Sequence, residues 1–246
     1  MTRHFQREIE KIKKRILSLS ALVEERLRQA VKAIAERDGA LAEQVRRSDW
    51  EIDQMEVEIE EDCLKILALH QPVAIDLRFI IAALKINNDL ERIGDLAVSI
   101  AKQGMFLAGR PPINIPFDFP RMASLAQEML KGSIDSLVEM DSALAARVCL
   151  TDDEIDDLHR QMYKHMEEAI GQHPERIDDH IRLLAVSRNL ERIADHSTNI
   201  CEDVIYMVDG VITRHNINEY VPGTEAAEES ESSASVRREP PGASGR

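Results

Sequence analysis

Asn88-Asp89-Leu90-Glu91-Arg92-Ile93-Gly94-Asp95 has a second copy one hundred residues later, Arg188-Asn189-Leu190-Glu191-Arg192-Ile193-Ala194-Asp195. In each copy a Glu is followed four residues on by an Asp. On a helix that spacing puts both carboxylates on one face, about one turn apart. Two like charges so placed repel by a few tenths of a kcal/mol unless positive charge lies between them. A bound cation would supply that charge. So would an ordinary solvated face with neighbouring Arg and screening salt.

Outward from these stretches, the chain reads as one unit written twice. Ser48-Asp49-Trp50-Glu51-Ile52-Asp53 matches Thr151-Asp152-Asp153-Glu154-Ile155-Asp156 at an offset of 103. The Glu91 and Glu191 stretches match at an offset of 100, so three residues are lost between the second and third helix of the second copy. Apolar residues at helical spacing predict helices over about 5–36, 40–70 and 73–108 in the first copy. The second copy predicts helices over about 120–140, from 142 or 151 to 171, and 175–209. Gln71-Pro72 and His173-Pro174 punctuate matching points. Between the copies, Gly109-Arg110-Pro111-Pro112-Ile113-Asn114-Ile115-Pro116-Phe117-Asp118-Phe119-Pro120 forbids a continuous helix. The expected architecture is all-α: two repeated three-helix bundles, six long helices, and an approximate internal twofold. The expected division is 1–108, a linker 109–120, 121–217, and an acidic disordered tail 218–246 with almost no large apolar side chain.

Composition agrees with long helices and narrows the function classes. Of 246 residues, 43% are hydrophobic and only 4% aromatic, with 10 Gly and 9 Pro. The net charge of −14 disfavours a nucleic-acid partner, whose phosphates need clustered Lys and Arg, and disfavours acidic membrane surfaces. Three Cys without a Cys-x-x-Cys pair fit a reducing compartment. No apolar run approaches the ~18 residues of a membrane span, and the first residues show no apolar leader core. A cytoplasmic protein without stable membrane insertion is expected.

A helical wheel at about 100 degrees per residue predicts where the carboxylates point. Ile86, Leu90, Ile93, Ala97 and Ile100 form the core stripe of one helix, with Glu91 and Asp95 roughly opposite. Val186, Leu190, Ile193 and Ile200 form the other, with Glu191 and Asp195 opposite. Asp49/Asp53 and Asp152/Asp156 repeat the four-residue spacing on the preceding helices. Antiparallel neighbours could lay these pairs side by side, giving four carboxylates in a surface groove suited to hard or borderline cations. One such pair means little in a chain that is 31% charged. Four at matching positions of a repeat leave both the metal reading and the solvated-face reading open. Arg92 and Arg192 are expected to bridge to neighbouring helices. Trp50 is expected to pack, as are Cys63 and Cys201. Asp156-x-x-His159 is the one acidic-x-x-His pair, with Glu56 at the matching place in the first copy, so the doubled Glu-x-x-His of a di-iron core is absent. No phosphate-binding loop, dinucleotide fingerprint or nucleophile elbow occurs.

The Leu-Glu-Arg-Ile-Gly-Asp and Leu-Glu-Arg-Ile-Ala-Asp motifs resemble those of the PhoU family of phosphate-transport accessory proteins. So do Gln71-Pro72-Val73-Ala74-Ile75-Asp76-Leu77-Arg78 and Met55-Glu56-Val57-Glu58-Ile59-Glu60-Glu61, over about residues 4–215. The resemblance implies two similar three-helix bundles carrying multinuclear clusters of transition-metal ions on their surface, iron foremost with zinc or nickel as alternatives. The ligands it implies are Asp49, Asp53, Glu91 and Asp95 in one half and Asp152, Asp156, Glu191 and Asp195 in the other. Ser99 stands where the second half has Asn199, and Lys102 where it has Glu202, so the two sites are expected to differ and the first to be the poorer. The implied function is negative control of phosphate-starvation (Pho regulon) signalling and phosphate uptake, without catalysis. The implied partners are the ATP-binding subunit of a phosphate ABC transporter, a sensor histidine kinase, and a second copy in a homodimer. The alternative is a carboxylate-bridged metalloenzyme or metal-storage bundle.

Overall fold

The computed structural model describes residues 3–113 and 118–213, together with Ile217 and Tyr220. Residues 114–117 of the expected linker and nearly all of the expected tail lie outside the described residues. Within them the fold is all-α, and each half is built on the same plan. The first half has α1 (Arg3–Ala35), α2 (Gly39–Arg47), α3 (Trp50–His70) and α4 (Ala74–Ala108). The second has α5 (Phe119–Glu139), α6 (Ser142–Cys149), α7 (Asp152–Gln172) and α8 (Ile177–Asp209), with a single 3-10 turn, Pro174–Arg176, before α8.

The middle helix of each half is therefore interrupted. This corrects the continuous helix expected over 40–70, and it settles the second half in favour of two pieces. The interruptions match to within one residue, and a hydroxyl at the same repeat position marks each. Ser48 Oγ bonds the Val45 carbonyl at 3.0 Å, and Thr151 Oγ1 bonds the Val148 carbonyl at 2.6 Å. A hydroxyl that captures a carbonyl three residues back offers the backbone an alternative to the helical ladder. The longer helix then restarts, with Asp49 as the residue just before α3 in one half and Asp152 as the first residue of α7 in the other.

Other ends follow local chemistry. Asp38 accepts from the Ala40 and Leu41 amides to start α2, Asp118 from Arg121 to start α5, and Asp141 from Leu144 to start α6. Gly210, at φ 79, closes α8 in the left-handed conformation that glycine adopts without Cβ strain.

The apolar stripes do face the core. Ile86, Leu90, Ile93, Ala97 and Ile100 are buried, as are Val186, Leu190, Ile193 and Ile200. However, α4 buries far more than one stripe, because it packs against α1, α2, α3 and α8. The most extensive contact in the molecule is α4 against α8. Its polar pairs reveal the internal twofold. Asn189 Nδ2 donates to Ser99 Oγ at 3.0 Å, and Asn199 Nδ2 to Asp89 Oδ1 at 3.4 Å, so 89 meets 199 as 189 meets 99. Lys85 Nζ to Asp203 Oδ1 (2.5 Å) and Arg182 Nη1 to Gln103 Oε1 (3.0 Å) extend the series. Positions rising on one helix meet positions falling on the other. The two helices therefore run antiparallel over residues 85–103, roughly 27 Å of helix. An isologous contact of this kind is what a duplicated unit paired with itself produces.

Two expectations fail on the surface. Trp50 is 60% exposed, not packed. On the helical wheel it falls opposite the buried Ile52 and Ile59 of the same helix, on the solvent side. Among the described residues Arg92 forms no ion pair with a neighbouring helix. Its Nε lies 3.6 Å from the carboxylate of adjacent Glu91.

Candidate metal centre

Each half brings two carboxylates from its interrupted helix against two from the long helix that follows. In the first half Asp49 immediately precedes α3 and Asp53 stands in its first turn, while Glu91 and Asp95 lie mid-way along α4. In the second, Asp152 and Asp156 open α7, and Glu191 and Asp195 lie on α8. The eight residues nominated from sequence thus form two groups of four, on paired helices. Glu91, Glu191, Asp49, Asp152 and Asp156 are half-buried, while Asp53, Asp95 and Asp195 are exposed. The helix restarts are what put Asp49 and Asp152 there. Both occupy the N-terminal end of a helix, where the dipole favours negative charge.

Burial and mutual repulsion nevertheless prevail over the dipole. Asp49 is held above the ordinary carboxylate range, first by burial and then by the charges of Asp53 and Asp95, with Lys102 and Arg26 opposing. Glu91 is raised by burial and by Asp95, Asp53 and Glu56. In the second half Asp152 is pushed up to about 7 by burial, then by Asp195, Asp156, Asp153 and Glu191. Glu191 and Asp195 are raised as well, again by burial first and then by neighbouring carboxylates, with Arg192 opposing in both cases. The carboxylates of each group raise one another, an arrangement that a bound cation would relieve.

Two atoms point the same way. Asp49 Oδ1 and Asp152 Oδ1 are buried and accept no hydrogen bond from the described residues. Buried polar atoms are nearly always partnered, and these two occupy equivalent places in the repeat. An all-carboxylate donor set with an orphaned inner oxygen fits a hard or borderline divalent ion. Among the described residues, no three of these carboxylates bring oxygens within 4.8 Å of one another. One ion held by three of them requires side-chain rotation, whereas several bridged ions span a wider arrangement.

The second group borders a cavity of about 720 Å³ lined by Lys85, Asn88, Asp89, Cys149, Asp152, Asp195, Thr198, Asn199, Glu202 and Asp203. Residues of α4 therefore reach the opening of the α7–α8 group. Asp89, buried at the α4–α8 contact, bonds His196 Nδ1 at 2.8 Å. Neither residue was singled out from sequence, since nothing local marks a pair 107 positions apart. His159 does not join the carboxylates. Its Nδ1 bonds Ser187 Oγ on α8 at 2.8 Å, and burial lowers its pKa. Cys63 and Cys201 are buried with thiols pushed well up, chiefly by desolvation, as befits packed residues.

Comparison with known proteins gives one consistent result. The PhoU domain profile matches twice, over residues 16–104 and 119–204. A phosphate-specific transport system accessory protein PhoU homolog from Aquifex aeolicus is 36% identical over 209 residues, covering 85% of this chain and 95% of that protein. A homolog of the same description from Pseudomonas aeruginosa is 36% identical, covering 87% and 89%. The crystal structure of PhoU from Pseudomonas aeruginosa superposes with a TM-score of 0.81 at 35% identity, covering 84% of this chain and all of that one. That of the phosphate transport system regulatory protein PhoU from Streptococcus pneumoniae gives 0.75 at 30% identity. With both halves matched, and the duplicated helical plan shared with solved members, the chain belongs to the PhoU family.

Proposed function

We propose that this chain is a cytoplasmic, homodimeric, non-enzymatic adaptor that restrains phosphate uptake and phosphate-starvation signalling. It couples the ATP-binding subunit of a phosphate ABC transporter to a sensor histidine kinase and keeps Pho-regulon transcription low when phosphate is ample. The observation that carries this reading is the family match across both halves. The relatives are named as accessory proteins of phosphate-specific transport. A net charge of −14 suits docking on basic partner surfaces, where complementary charge sets association rate and register. Among the described residues no helix is long and apolar enough to cross a membrane.

The two carboxylate groups are proposed as its metal sites, with Asp49, Asp53, Glu91 and Asp95 in one half and Asp152, Asp156, Glu191 and Asp195 in the other. Transition-metal ions, iron foremost and zinc or nickel as alternatives, would supply in multinuclear form the positive charge that both groups lack. The chain's own residues then do the positioning. Asp49 and Asp152 tie the restart of the interrupted helix to its neighbour, and the Glu91 and Glu191 turns hold the opposite side. This fixes the α3–α4 and α7–α8 surfaces in one arrangement for a partner to read.

The test is starvation-gene output and phosphate uptake in cells lacking the gene, complemented with the wild type or with a Glu91→Ala/Asp95→Ala/Glu191→Ala/Asp195→Ala variant. Deletion is expected to raise output in high phosphate, and the folded variant to fail to restore repression. Output that stays low on deletion removes the regulator reading. Full repression by the variant removes the role of the carboxylates.

A further inference from the structure

Metal-ligating side chains converge a second time, at the other end of the first bundle. There the first turns of α1 lie against the last turn of α3. His4 and Glu8 are four apart and share a face of α1, while His70 is the last residue of α3. Among the described residues this is the one group of three or more His, Cys, Asp or Glu whose ligand atoms all lie within 4.8 Å of one another. Glu8 is the hinge of the group. Its Oε1 is 3.3 Å from His4 Nδ1, and its Oε2 is 2.7 Å from His70 Nε2. We infer that His4, Glu8 and His70 form a site for one borderline divalent cation of the zinc, nickel and copper class, separate from the carboxylate groups.

The donor set selects that class. Two imidazoles and one carboxylate are softer than the all-oxygen groups, and they match three-ligand zinc sites that keep a fourth position open. Metal–ligand bonds of about 2.0–2.1 Å in tetrahedral geometry separate neighbouring donor atoms by roughly 3.3 Å. The present separations of 2.7 and 3.3 Å therefore need only small side-chain adjustments, with no backbone movement.

The surroundings favour a cation as well. The buried Phe5 ring packs edge-on against His70, with centroids 5.2 Å apart, and so orients the imidazole. The negative end of the α3 dipole lies at His70. Farther along α1 than the flanking Arg3 and Arg7, Lys11 and Arg15 pair with Asp62 at 2.8 and 2.9 Å. Sequence gives only His4-x-x-x-Glu8, because the third ligand is 66 positions from the first. The trio stands a full helix length from Asp49, about 30 Å. A cation there would fasten the start of α1 to the end of α3.

The experiment uses the full chain with Asp49, Asp95, Asp152 and Asp195 changed to Asn, so that the carboxylate groups are silenced. Zinc equivalents are counted by equilibrium dialysis. Substoichiometric copper(II) is then read by electron paramagnetic resonance for coupling to imidazole nitrogen. The expected result is one zinc per chain and a nitrogen signal, both lost on adding His4→Ala/His70→Ala. His4→Ala alone, at a side chain 73% exposed, should weaken zinc binding by more than the roughly 10–100-fold that loss of an outer-shell partner costs, with helicity unchanged. Unchanged zinc equivalents and an unchanged nitrogen signal in the folded His4→Ala/His70→Ala chain would overturn the site and leave the trio a hydrogen-bonded cluster.

Discussion

The carboxylate group between α7 and α8 is under greater electrostatic stress than its counterpart between α3 and α4, although both are built from the same residue types at the same places. Asp152 is pushed up to about 7, with four other carboxylates acting on it and no cation opposing among the principal causes. Asp49, its counterpart, is raised with Lys102 and Arg26 holding it back. Where α4 carries Lys102, α8 carries Glu202, and Glu202 lines the cavity onto which the second group opens. Duplication gave two carboxylate groups of one design, and Lys102 with Arg26 beside the first, against Glu202 beside the second, leaves the second with less opposing positive charge.

The most direct way to break this comparison is to remove ligands one half at a time. Asp152→Asn/Asp195→Asn should lose the tighter-bound metal, and Asp49→Asn/Asp95→Asn the weaker. We expect affinities at least about tenfold apart, read as metal content after graded dialysis. Equal losses would mean that Lys102 and Glu202 do not tune the sites.

A second test uses pH on the metal-free chain. Folded Asp152 keeps its proton up to about 7, whereas its ordinary value is 3.8. Between those values the folded state binds more protons than the unfolded state, so this group's contribution falls as pH rises from about 4 to about 7. Asp152→Asn should therefore stabilise the metal-free chain at pH 8 by about 1–2 kcal/mol, after allowance for solvent screening, and should do little at pH 4. Asp49→Asn should act in the same direction and less. Thermal melts at the two pH values decide it.

The halves also differ behind the carboxylates, where Gly94 matches Ala194. A Cβ at Gly94 would come within 2.8 Å of Ile52 Cδ1 and 3.2 Å of its Cγ2. Ile52 is buried and β-branched, so its freedom to retreat is small. Gly94→Ala should cost about 1 kcal/mol net, overpacking exceeding the gain in helix propensity, and Ala194→Gly about the same through lost propensity and contact. Denaturant midpoints check both, and a stabilising Gly94→Ala would show that α3 can move away from α4. The cross-half pairs complete the series, and the smallest effect should be that of Asn189→Ala. Asp89→Ala strands His196 and should cost about 1–2 kcal/mol, while Asn189→Ala removes a neutral bond to Ser99 and should cost about 0.5–1 kcal/mol.

Several of these features were legible in the residues alone. The stripe Ile86, Leu90, Ile93, Ala97, Ile100 and its copy are repeated every three to four positions, and such periodicity reports a buried helix face without reference to any partner. The doubled Glu-x-x-x-Asp could be found because the repeat supplies its own control. The interruptions at Ser48 and Thr151 were harder to see, since the apolar pattern runs straight through them and only a hydroxyl-to-carbonyl bond marks the break. The exposure of Trp50 follows from the wheel itself, where it falls opposite the buried Ile52 and Ile59.

What the sequence determined by itself is local and periodic: helices, their apolar faces, the duplication, and which carboxylates share a turn. What only the tertiary structure decided is which turns meet. The pairing of Asp49 with Asp95 and of Asp152 with Asp195, the antiparallel α4–α8 contact, the Asp89–His196 bond and the His4–Glu8–His70 trio all bring together residues 43 to 118 positions apart. Such contacts are selected by how whole helices pack and bury area together, and that selection leaves no trace in the spacing of any one segment.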